Sequence, residues 1–133
     1  RLPVSVTGDI NPPDDVDTAL EQSGADGVMI GRGAYGRPWF LNQAIHYLRT
    51  GERLPDPSFA EQYATVRAHF ESMLSHYGQE TGVRMARKHL GWYSKGLPAS
   101  AEFRAAMNRE TEPAKVRAML AAFFLPNLER QAA

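Results

Sequence analysis

Two short apolar runs, each ended by glycine and separated by a helix-coding stretch, constrain this chain most. "PVSV" (residues 3–6) is β-branched and stops at Thr7-Gly8-Asp9, as a strand does when it runs into a turn. "NPPDDVDTALEQSG" follows, with prolines, acidic residues in a first turn, Val16, Ala19 and Leu20 at helical spacing, and Gly24 past the end. "GVMI" (27–30) reads as a second strand whose unbroken apolar character predicts burial on both faces, and it stops at Gly31-Arg32-Gly33. A helix is expected over about 38–50. Strand, helix, strand, helix is a parallel β/α unit.

A composition break at "TGERLPDPSF" (50–59) closes this part: Gly51 ends a periodic segment, and Pro55 and Pro57 stop the helix from resuming. Every later signal is helical. Ser58 and Glu61 have capping-box spacing, and Tyr63, Val66, Phe70, Met73, Leu74 and Tyr77 recur at three and four until Gly78. Further helices are expected from about Glu80 to Lys95, from Ser100 through "AEFRAAMN", and from about Thr111 to beyond Phe124. Four amphipathic helices with short connections make a small bundle. The fold class is therefore mostly α with a small α/β piece.

Composition excludes several chemistries. There is no cysteine, hence no disulfide framework, thiolate metal site or thiol proton donor, and the four histidines show no metal spacing. No apolar run reaches the roughly 18 residues of a membrane span, and the first residues lack a signal peptide's apolar stretch, which makes the cytoplasm the expected location. The net charge is zero but uneven: residues 1–58 carry five basic and eight acidic side chains, residues 59–133 ten and seven. The second part is the one suited to an anionic partner.

In a parallel sheet, ligands bind beyond the carboxyl ends of the strands, where both glycine turns fall. Glycines let a bound group approach the backbone, and Arg32 offers a forked cation suited to phosphate. The loops after the last two strands of a (β/α)8 barrel frequently build such a site. Tight turns without a ligand, with Asp9 as a cap, are the structural alternative. Arg37-Pro38-Trp39 reads as a plain helix start.

In "TGVRMARKHLGWYSKG", Arg84, Lys88 and Lys95 share one side with Arg87 adjacent, while Val83, Ala86, Leu90 and Tyr93 form another. The charged side can follow successive phosphates or simply be solvated; His89 and Trp92 lie between the two faces, placed to stack on a base or to pack.

The complete wording, "GDI", "GADGVMIGRGAYGRPWF", "HYLRTGE" and "YGQETGVRMARKHLGWY" in that order, resembles the bacterial tRNA-dihydrouridine synthases, particularly the nitrogen-regulation-associated branch. The resemblance implies that residues 1–55 are the last two β/α units of an FMN-binding (β/α)8 barrel and that 56–133 are a helical tRNA-binding domain. It implies reduction of the 5,6 double bond of tRNA uridines by FMN that NADPH has reduced. Thr7, Gly8, Asp9, Gly31 and Arg32 match the family's FMN-phosphate contacts, with Thr7 standing where asparagine is usual. Arg84, Arg87, Lys88 and His89 become the tRNA contacts, with Arg104 and Arg109 extending the patch.

The family's catalytic cysteine, lysine and histidine have no counterpart here, so this chain alone is expected to be inactive. Two strands from a closed barrel leave unpaired edges. Strand exchange with a second copy, or partial disorder of the first 55 residues, is the expected remedy. Another FMN-dependent barrel oxidoreductase and a non-enzymatic helical interaction module are the competing readings.

Overall fold

In the computed structural model, which describes residues 1–11 and 13–132, the elements run β1 (Ser5–Thr7), α1 (Pro13–Ser23), β2 (Gly27–Met29), a 3-10 turn (Arg32–Ala34), α2 (Phe40–Thr50), α3 (Phe59–Tyr77), α4 (Gln79–Tyr93), α5 (Ser100–Met107) and α6 (Pro113–Ala132). The chain is mostly helical with one small parallel sheet. It divides into two compact units between Asp56 and Pro57.

In the first unit, β1 and β2 pair in parallel with Val6 opposite Val28 and Thr7 opposite Met29. Val28 and Ile30 pack on a core of Ile10, Val16, Phe40 and Ala44, to which α1 adds Ala19 and Leu20. Because strand side chains alternate, Met29 points the other way and is 58% exposed. The expected burial of both faces of "GVMI" is therefore not observed: among the described residues, α1 packs on one face of the sheet, and Phe40 and Ala44 of α2 join the same core. The first strand also begins later than the sequence suggests, at Ser5. The Val4 N–H donates to Asp26 Oδ2 at 2.9 Å, and its carbonyl accepts from the Asp26 N–H at 2.8 Å. Arg1 and this Val4 bond hold the Asp26 carboxyl below its usual range. Both strands are formed and pair with each other within the single chain, and each strand keeps one edge unpaired among the described residues. At the far end, Gly51 closes α2 with φ +72°, and buried Gln43 donates to Asp56 Oδ1 at 2.9 Å, fastening the proline-rich segment to α2.

The second unit opens on the anticipated capping box: Ser58 Oγ accepts from the Glu61 N–H, and the Glu61 carboxylate accepts from the Ser58 N–H at 2.7 Å. Gly78, at φ +80°, is both the last cap of α3 and the first of α4, so one residue joins the two helices. Their packing is close enough that a Cβ on Gly82 would lie 2.9 Å from Leu74 Cα and from the Met73 carbonyl oxygen. Val66, Phe70, Val83, Ala86, Leu90, Val116, Leu120 and Phe124 are all but fully buried, and α5 contributes Phe103 and Met107. Burying one of the larger side chains stabilises by about 1.5–3 kcal/mol. Ring stacking orders this core: Phe103 on Phe123 with centroids 4.3 Å apart, Tyr63 on Phe124 at 5.3 Å. At its edge Arg117 of α6 grips Glu71 of α3 through two bonds of 2.6 and 2.9 Å. That grip holds the Glu71 carboxyl below its ordinary range. Helix α4 ends at Tyr93, two residues before Lys95, as the Lys95 N–H turns to the Trp92 carbonyl at 3.2 Å and Gly96 follows at φ +82°. Lys95 therefore belongs to the following turn, not to the helical stripe.

Candidate functional sites

The parallel register that sets Thr7 beside Met29 brings both glycine turns to one end of the sheet. There Arg32 Nη2 donates to Asp9 Oδ1 at 2.8 Å, with the two side chains 79% and 77% exposed. One of the guanidinium's five N–H donors is thus used on Asp9, which fixes the direction of the rest. Thr7, Gly8 and Asp9 line a shallow depression of about 190 Å³ against α1, and Asp15 stands in its wall. A Cβ placed on Gly8 or Gly31 would meet nothing within 4 Å, so the backbone at both positions faces open ground. Of the five residues anticipated for a phosphate, Thr7 is thus the last of β1, and Gly8, Asp9, Gly31 and Arg32 lie on the turns that follow the two strands.

The third glycine of the Gly-Arg-Gly motif has a different duty. A Cβ on Gly33 would stand 2.1 Å from the Ile10 carbonyl oxygen, so only glycine lets the two turns meet. Arg37, which the sequence presents as part of a helix start, is the clasp. Its Nε donates to the Gly33 carbonyl at 2.8 Å, Nη2 donates to the Asn11 carbonyl, and the guanidinium lies 4.2 Å from the Phe40 ring centre. Neighbouring arginines therefore divide the work: Arg37 holds the turns together and Arg32 faces outward. Nothing in the spacing distinguishes them, because Arg37's acceptors are backbone carbonyls brought near by the crossover. Helix α2 itself starts at Phe40, after a turn in which Phe40 N–H donates to the Arg37 carbonyl and Leu41 N–H to that of Pro38.

In the second unit the packing face of α4 is the one the spacing predicts, with Val83, Ala86, Leu90 and Tyr93 buried. Arg84 and Lys88 are exposed on its outer side, and Arg109 is exposed beyond α5. Arg87 is turned inward instead: its Nη2 donates to the Glu110 carbonyl at 2.9 Å, and its Nε is buried with no hydrogen-bond partner among the described residues. Arg104 is half-buried beside Gly91, with a bond to Ser100.

His89 borders a groove of about 330 Å³ between α3 and α4, shared with His69, His76, Tyr77, Met85 and neighbours. Its ring meets His69 edge-on at 4.8 Å and Trp92 at 5.1 Å, and His69 Nδ1 lies 3.0 Å from the Tyr93 hydroxyl. Burial pushes both imidazoles down from their ordinary pKa, His69 further through the neighbouring His89, and burial pushes the Tyr93 hydroxyl up to about 12. The sequence showed His89 and Trp92 between faces but not the three-histidine groove, whose members come from two helices. Among the described residues no group of histidines and carboxylates is placed to hold a metal ion, and no helix is long and apolar enough to cross a membrane.

Residues 1–129 match the family model described as Dihydrouridine synthase (Dus). A protein of Rickettsia conorii named probable tRNA-dihydrouridine synthase is 50% identical over 129 residues, covering 97% of this chain and 39% of its own length. The tRNA-dihydrouridine synthase B of Xanthomonas axonopodis pv. citri is 50% identical over 113 residues, 85% of this chain and 34% of its own. That of Pseudomonas aeruginosa is 46% identical over 108 residues, 81% and 32%. The chain thus spans between about a third and two fifths of the length of these relatives.

Proposed function

The chain belongs to the dihydrouridine synthase family, and on that premise we propose that it is the C-terminal part of a flavin-dependent enzyme that reduces uridine to 5,6-dihydrouridine in tRNA. Residues 1–55 supply part of an FMN-binding barrel, and 56–133 bind tRNA. The observation that carries the cofactor reading is the meeting of Arg32 and Asp9 at the paired strand ends, beside two glycines with unobstructed backbone. These residues fit the phosphate end of FMN: Arg32 gives the charge and the forked donors, Asp9 orients it, and Gly8 and Gly31 leave room for the phosphate oxygens to approach. Thr7 contributes a hydroxyl in place of a longer amide. Bound FMN, reduced by NADPH, supplies the hydride.

The chain has no cysteine to deliver the accompanying proton to the uracil ring, so alone it holds the phosphate without completing the reduction. On the RNA side, Arg84 and Lys88 meet the sugar-phosphate backbone and His89 lies against a base, while Arg87 supports α4 through Glu110. The free edges of β1 and β2 suit a homodimer formed by strand exchange, which light scattering of the purified chain would detect as a doubled mass.

The cofactor reading is tested by titrating the chain with FMN and with riboflavin, which lacks the phosphate. FMN should bind more tightly, and Arg32→Ala should abolish the difference. Equal affinities in the unaltered chain would refute the phosphate site.

A further inference from the structure

We propose that the groove between α3 and α4 receives a single unstacked nucleobase from an RNA strand whose phosphates lie along Arg84 and Lys88. The proposal rests on the RNA-binding reading above and gives that surface a specific task. The groove's volume, about 330 Å³, lies at the lower end of the ~300–1,000 Å³ range of small-ligand pockets. Its walls offer flat or polarizable faces: His76 set edge-on to Tyr77 at 4.6 Å, the His69–His89 pair, and Met73 with Met85. Tyr77 and Met85, 46% and 44% exposed, present these faces to solvent.

The charge around it is complementary to an RNA strand. Arg84 precedes Met85 and Lys88 precedes His89, so each cation stands a third of a turn from a groove-lining side chain. Among the described residues no carboxylate lines the groove, and Glu80 stands one turn before Arg84. A base inserted among the rings would keep its 5′ and 3′ phosphates outside, within reach of the two cations. Burial keeps His69 and His89 uncharged near neutrality, so their rings act as stacking faces and hydrogen-bonding edges. A metal is not the occupant these residues suit, since their geometry brings no three ligands together among the described residues.

The test uses the full chain and two probes: a short single-stranded oligoribonucleotide carrying 2-aminopurine at its centre, and a blunt duplex of the same sequence. The single strand should bind more tightly, with 2-aminopurine fluorescence quenched by stacking. His76→Ala and Met85→Ala, both at exposed positions and checked for unchanged circular dichroism, should each weaken single-strand binding about tenfold and leave duplex binding alone. The double change Arg84→Ala with Lys88→Ala should weaken both probes.

If single strand and duplex bind equally, and only the double variant loses them, the base site is overturned while the RNA-binding helix stands. If neither probe binds the folded chain, both readings fall. Self-association that Met85→Ala abolishes, with no response of 2-aminopurine, would give the groove to a second copy and overturn the proposal.

Discussion

Alanine placed at two glycines of the same helix should change stability in opposite directions. At Gly82 the new Cβ would lie 2.9 Å from both Leu74 Cα and the Met73 carbonyl oxygen and 3.1 Å from Leu74 Cδ2. The first two are backbone atoms of α3, so relief requires the helices to separate. Overpacking of this kind costs about 1–3 kcal/mol, against which the better helix propensity of alanine returns about 0.8–1 kcal/mol. A net loss of about 1 kcal/mol is expected. At Gly91 the new Cβ would lie 3.5 Å from Arg104 Cδ, an ordinary contact with a flexible side chain, so the propensity gain remains. The two variants should differ by about 2 kcal/mol, and each kcal/mol moves Tm by about 4–8 °C in a unit of this size. Urea unfolding followed at 222 nm by circular dichroism, with thermal melts alongside, measures both. A Gly82→Ala variant as stable as Gly91→Ala would refute the close approach of α3 and α4.

Phe70→Ala, which empties a fully buried position, should cost about 3–5 kcal/mol in the same urea assay. Arg37→Ala should speed amide exchange in both strand-end turns, because the clasp on the Gly33 and Asn11 carbonyls is lost, while Arg32→Ala should leave exchange unchanged. Burial keeps the Tyr93 hydroxyl protonated to about 12, so its contribution is whole below pH 10 and is lost as pH rises from 10 towards 12; Tyr93→Phe should remove that alkaline loss. The lowered pKa of His69 works at the other end: its native-state preference for the neutral ring costs nothing above pH 6.5 and destabilises as pH falls below it. His69→Gln should flatten the acid limb of a stability-against-pH curve.

Local chemistry was legible in the sequence and tertiary approach was not. Ser58 with Glu61, Gly51 and Gly78 mark helix ends through bonds within a turn, and the structure places those ends there. The buried face of α4 follows from spacing alone. Lys95 fell outside that helix because its N–H turns to the Trp92 carbonyl, ahead of a left-handed Gly96. The exposure of Met29 was illegible because an apolar run records what a strand tolerates, not which of its faces a neighbour covers. Arg32 and Arg37 look alike in sequence. Their roles separate because one meets the Asp9 carboxylate and the other two carbonyls across the crossover. The three-histidine groove depends on how α3 lies along α4, which the single glycine between them determines only in three dimensions.

The most direct test of the account is to titrate a labelled, unmodified tRNA with this chain at two salt concentrations, beside a variant carrying Arg84→Ala and Lys88→Ala. Arg87 is left intact because its bond to the Glu110 carbonyl would confuse binding with stability. Binding that weakens steeply with salt in the unaltered chain, and that the variant loses together with most of its salt dependence, is the predicted result. Undetectable binding at low salt by a folded chain, or equal binding by the variant, would contradict the assignment of tRNA to this helix.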